Sequence, residues 1–88
     1  MKKVIVKFWG DGCMNCNVMN PIVDGLKSQY PNIEFRDINA SRDDEAAAKY
    51  GVTTLPTLIF EADGVEVGRL VGLRPKTLII KKIVEVFG

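Results

Sequence analysis

Eighty-eight residues, with 12 basic and 11 acidic side chains, a formal charge of +1 and no histidine, are enough for one domain, residues 1–88, around a modest core. The interleaved charges exclude the one-sided basic footprint of a nucleic-acid binder or a membrane-surface helix, and no apolar run is long enough to span a bilayer. Lys7 cuts the leading apolar run Val4-Ile5-Val6 to three residues, too short for a signal peptide, so a cytoplasmic address is expected.

Residues 3–9 read as a strand. Val4, Ile5, Val6, Phe8 and Trp9 are β-branched or aromatic and nearly continuous, which suits a strand covered on both faces. From Cys13 to about Tyr30 the period becomes helical, with Met19, Ile22, Val23, Leu26 and Tyr30 three or four residues apart. Pro21 lies inside that helix and removes one of its hydrogen bonds. Ile33–Ile38 alternates as a second strand. Ser41 and Asp44 suggest the start of a helix over Arg42–Tyr50, with Gly51 as its C-cap. Thr57–Glu61 is a third strand, Asp63-Gly64 a tight turn, and Val65–Val71 a fourth strand forming an antiparallel hairpin with it. Arg74-Pro75 opens a last helix. The order β-α-β-α-β-β-α predicts an α/β fold with a mixed four-stranded sheet, the first strand central and the site at its carboxyl edge.

Phe8-Trp9-Gly10-Asp11-Gly12-Cys13-Met14-Asn15-Cys16 runs from that strand through two glycines into the first helix. Cysteines at i and i+3 of a first turn share a face, within the roughly 4.4–6.8 Å Cα separation of a disulfide. The helix N-terminus, carrying about half a positive charge, favours a thiolate there. A C-x-x-C holding both cysteines of the chain in a βα context reads as a reversible dithiol, not as two buried apolar residues.

These residues resemble the thioredoxin family over essentially the whole chain. Phe8-Trp9 precedes C-x-x-C, Pro21 follows Cys16 by five positions, Leu55-Pro56-Thr57 precedes a hairpin, and Lys49-Tyr50-Gly51, Asp63-Gly64 and Gly72 continue the likeness. It implies a thioredoxin fold of glutaredoxin size, without the strand and helix that lead full-length members. It also implies that Cys13 is the exposed nucleophile, Cys16 the buried resolving thiol and Pro56 a cis-proline facing them. Leu55 would then offer backbone hydrogen bonds to an extended substrate segment, with Met14, Asn15, Thr54 and Gly72 beside it. Trp9 either supports the active-site loop or fills the core.

Three features depart from the family pattern. Met14-Asn15 stands where Gly-Pro is usual, and Gly12 stands where tryptophan precedes the first cysteine. Such changes move the potential within the range of about −270 to −120 mV spanned by related proteins. Lys7 stands where the family buries an aspartate, and Asp37 where it has a lysine. A partly buried, sign-reversed ion pair behind Cys16, able to relay that thiol's proton, is one expectation; two solvent-facing strand ends are the other.

The leading function is thiol–disulfide oxidoreduction through the Cys13/Cys16 dithiol, with no cofactor beyond that redox-active disulfide. The resemblance implies disulfide-bearing protein substrates, a monomer, and electrons from a thioredoxin-reductase-like flavoprotein or a glutathione-linked system. For the glutathione route, the Gly-Gly-acidic element of glutaredoxins is not visible at Val71-Gly72-Leu73-Arg74. The motif is also compatible with a zinc or iron–sulfur site shared by two C-x-x-C motifs in a dimer, and the fold with a peptide-binding module without redox chemistry.

Overall fold

The computed structural model describes residues 1–88. Its elements in chain order are β1 (Lys3–Trp9), α1 (Met14–Gln29), β2 (Ile33–Asn39), α2 (Asp44–Tyr50), β3 (Thr57–Ala62), β4 (Val65–Val71) and α3 (Lys76–Phe87). The sheet order is β2-β1-β3-β4. β1 runs parallel to β2 and antiparallel to β3, and β4 closes the sheet as the antiparallel partner of β3. This element order and strand pairing are those that the resemblance to the thioredoxin fold implies.

The near-continuous apolar run of β1 reflects cover on both sides. Alternation along the strands sends Ile5, Leu58 and Phe60 to one face, where they meet Met19, Val23 and Leu26 of α1 and Ile79, Ile83 and Phe87 of α3. Val4, Val6, Phe8 and Ile59 point the other way and pack with Ala47 of α2. The sheet is thus sandwiched between α1 with α3 and the short α2. Phe8 also meets the Tyr50 ring edge-on, with centroids 5.3 Å apart, and Tyr50 Oη donates to the carboxylate of buried Glu61 at 3.0 Å. Burial, and next this hydrogen bond, push the Tyr50 phenol above its ordinary value.

Gly68 marks where α3 crosses the sheet. A Cβ there would lie 2.8 Å from Lys82 Cε and 3.1 Å from Val86 Cγ1, so the bare backbone lets the helix come close. At the hairpin, Asp63 and Gly64 both take positive φ (51° and 82°), the geometry that makes Asp-Gly a two-residue turn.

Two helix starts differ from the expectation. α2 begins at Asp44, not Arg42, and its cap is Asp43, whose side chain accepts from Ala46 N–H at 3.1 Å. Asp43 outcompetes Ser41 because its carboxylate lies three residues before a free N–H of the first turn, which releases the Ser41 hydroxyl. α3 begins at Lys76, with Pro75 as an N-cap that makes no side-chain hydrogen bond; proline's fixed φ suits the entry but it has no oxygen to cap with.

Candidate active site

β1 ends at Trp9, and Gly10-Asp11-Gly12 turns the chain into α1. Gly12 adopts φ +69°, open to glycine without strain. Cys13 is the N-cap of α1 in an extended conformation, and Cys16 closes the first turn. The two are joined as a disulfide with a Cα separation of 5.2 Å. Cys13 Sγ accepts a hydrogen bond from Cys16 N–H at 3.1 Å, so the sulfur faces the free donors of the helix N-terminus, where negative charge is favoured. Cys16 has no exposed surface and Cys13 is partly exposed. Between them Met14 is 81% exposed, and Asn15 is exposed too.

Two further loops close on this turn. Gly10 is buried, and a Cβ on it would lie 2.7 Å from Leu55 Cδ1 and 2.9 Å from Ser41 Oγ. Its bare Cα lets the loop before β3 and the loop before α2 both approach the turn that leads to the cysteines. The Leu55–Pro56 peptide is cis. The Pro56 carbonyl accepts from Gly72 N–H at 2.7 Å, and the Thr54 carbonyl accepts from Thr57 Oγ1 at 2.6 Å. The Leu55 N–H and carbonyl have no partner within the protein. One residue of this loop therefore presents a free backbone donor and acceptor, while its neighbours are tied down.

Ser41, freed from capping, accepts from Asp11 N–H at 3.0 Å. The Asp11 carboxylate accepts from Asn39 Nδ2 at 3.1 Å and from Arg42 Nε at 3.4 Å, and Asn39 Oδ1 accepts from Ser41 N–H at 2.9 Å. This clamp on the cysteine loop is not among the features the sequence predicts, because Ser41 reads there as the start of α2. The signal was there: Ser41 and Asp43 are two cap residues two positions apart, and only one can cap. Ser41→Ala should lose about 0.5–1.5 kcal/mol of stability in urea denaturation. An unchanged midpoint would mean water replaces the bond at no cost.

Trp9 is half-buried and belongs to neither core cluster; its carbonyl accepts from Ala40 N–H at 2.8 Å, which places it at the rim of the cysteine loop. Lys7 is not a solvent-facing strand end. It is 4% exposed, on the α1 side of the sheet, two residues from Ile5. Its Nζ lies 3.6 Å from Asp37 Oδ1 in the neighbouring strand, with side-chain exposures of 5% and 43%. Asp37 Oδ2 is also 3.6 Å from Lys27 Nζ, which pairs with Asp24 at 3.1 Å. The hydrogen bond with Asp24 holds the Lys27 ammonium above the ordinary lysine value against the opposing cost of burial, and the Asp37 charge adds to the rise. An alternating chain of four charges thus links β1, β2 and α1.

The family profile described as Thioredoxin matches residues 1–85. The thioredoxin of Chlamydia pneumoniae is 35% identical over 80 residues, covering 91% of this chain and 78% of its own. The chain belongs to the thioredoxin family. Among solved structures, Fasciola hepatica thioredoxin superposes with a TM-score of 0.91 at 34% identity, covering 97% of this chain and 81% of that one. A yeast structure described as the basis of the thiol resolving mechanism in mitochondrial 1-Cys peroxiredoxin via glutathione/thioredoxin systems is 25% identical, with a TM-score of 0.90, covering 96% and 78%. As a thioredoxin-family protein with its two cysteines joined, the chain is a thiol–disulfide oxidoreductase. No group of three or more His, Cys, Asp or Glu side chains is placed to hold a metal ion, and no helix is long and apolar enough to cross a membrane.

Proposed function

We propose that this oxidoreductase reduces disulfide-bearing proteins, with Cys13 as the attacking thiolate and Cys16 as the resolving thiol. The observation that carries this assignment is the asymmetry of the pair: a partly exposed sulfur at the helix N-cap beside one with no exposed surface. In the reduced form, Cys13 thiolate attacks one sulfur of the substrate disulfide. That bond breaks, its other sulfur leaves as a thiolate and takes a proton, and a Cys13–substrate mixed disulfide forms. Cys16 then loses its proton and attacks Cys13 Sγ. The second substrate sulfur leaves and is protonated, and two electrons have passed from the dithiol to the substrate.

The unpartnered N–H and carbonyl of Leu55 receive an extended substrate segment by β-pairing. Pro56 has no N–H to offer, which limits that pairing to one residue. Met14, Asn15, Thr54 and Gly72 flank the segment, and Trp9 supports the cysteine loop. The Lys7–Asp37 pair relays the Cys16 proton. A flavoprotein of the thioredoxin-reductase type or a glutathione-linked system restores the dithiol. The protein works in the cytoplasm as a monomeric single domain with no other cofactor. Brief alkylation of the reduced protein with limiting iodoacetamide, followed by peptide mass spectrometry, tests the roles of the two thiols. Label should collect on Cys13; equal labelling of Cys16 would overturn the assignment.

A further inference from the structure

Leading away from the cysteines, α1 keeps one face apolar and open. Met14, 81% exposed, is followed one turn later by Val18, 53% exposed, and another turn later by the partly buried Ile22. Residues four apart stack on one helix face. Val18 and Ile22 form one wall of a shallow pocket of about 350 Å³, and Leu73, Arg74 and Pro75 form the other. Leu73 is 39% exposed and directly follows Gly72, whose N–H holds the Pro56 carbonyl at 2.7 Å. The far wall is therefore tied to the loop where Leu55 offers its free backbone groups, and the pocket continues the dithiol face.

Arg74 is the pocket's one charged residue. Its Nε donates to the Val71 carbonyl at 3.1 Å, which fixes the guanidinium's base and leaves its outer nitrogens unused. No carboxylate lies within ion-pair distance of it, as is also true of Lys3, Lys49, Lys76 and Lys81, whereas each of the other three arginines, Arg36, Arg42 and Arg69, has one. An apolar hollow walled by an unpaired arginine is complementary to an apolar side chain next to a carboxylate, and such anchors concentrate binding energy.

We infer that this pocket is a second contact for the protein substrate and takes an apolar residue flanked by an acidic one, a few positions from the reacting cysteine. From Met14 to Val18 and Ile22 is about 6–12 Å along the helix axis at 1.5 Å per residue. An extended chain covers that span in roughly two to four residues at 3.3 Å each. The occupant is thus a segment of the same substrate whose sulfur meets Cys13, so the inference rests on the proposed role of Cys13 and extends it to substrate choice.

The test uses synthetic peptides with one cysteine blocked as a mixed disulfide with thionitrobenzoate, whose release is coloured. One set carries Leu-Asp three residues from the cysteine on either side; the others carry Ser-Ser or Leu-Lys there. Each rate is divided by that for dithiobis(nitrobenzoate) on the same protein. A Leu-Asp peptide should be reduced on the order of tenfold faster than its Ser-Ser counterpart, the discrimination an apolar pocket supplies. Arg74→Glu should remove the advantage of Asp and make Leu-Lys the preferred peptide. Equal rates for Leu-Asp and Ser-Ser, or an Asp preference that survives Arg74→Glu, would overturn the pocket. If dithiobis(nitrobenzoate) itself is not reduced, the role of Cys13 falls, and the pocket's role falls with it.

Discussion

Cys13→Ser should lower the rate of protein-disulfide reduction by on the order of a thousandfold or more, because a hydroxyl at neutral pH is a far poorer nucleophile than a thiolate. Cys16→Ser should fail differently. Its Cys13 still attacks, but the mixed disulfide has no intramolecular exit. With Cα atoms 5.2 Å apart, the second sulfur of the wild type attacks as an intramolecular group at high effective concentration. The serine variant must wait for an external thiol. Mixing Cys16→Ser with a disulfide-bearing protein should accumulate a covalent adduct, visible by mass spectrometry and released by dithiothreitol. Multiple turnovers by Cys16→Ser without added thiol would show that resolution does not need Cys16.

The second large effect concerns the buried charge. Asp37→Asn leaves the Lys7 ammonium, 5% exposed along its side chain, without its carboxylate. The expected cost is about 2–3 kcal/mol, below the 3–5 of a fully buried pair, because Asp37 is itself 43% exposed and water already screens part of the pair. Lys27 keeps Asp24 at 3.1 Å and should contribute little to the loss. Lys7→Met removes the charge along with its need for a partner and fills similar volume, so it should be close to neutral or stabilising. Urea denaturation of both variants separates the cases: equal losses would mean that the lysine stem, not the charge, is what the site needs. Titration of Cys16 in the same reduced variants tests the proton relay, which unchanged titration in both would end.

The legible parts of the fold were those carried by local pattern. The two-residue period in Ile33–Ile38, the stripe Met19–Val23–Leu26 and the Asp63-Gly64 turn each reflect a constraint that acts over a few residues. Helix starts were less legible, because capping is a contest between nearby side chains. Ser41 and Asp43 carry equivalent chemistry, and only the direction of the chain leaving β2 decides that Asp43 caps while Ser41 turns to Asp11. The clamp joins residues about 30 positions apart, a separation no window of sequence spans.

The sequence by itself determined that a strand, two glycines and a C-x-x-C would lead into an amphipathic helix, because spacing and side-chain type decide that locally. Tertiary structure decided what surrounds those cysteines. Parallel pairing of β1 with β2 sets Lys7 opposite Asp37, and the covering helix shuts the lysine away from water. The hairpin brings Gly72 to Pro56, leaving Leu55 free. Such juxtapositions depend on which strands become neighbours, and it is burial of both sheet faces at once that selects the neighbours.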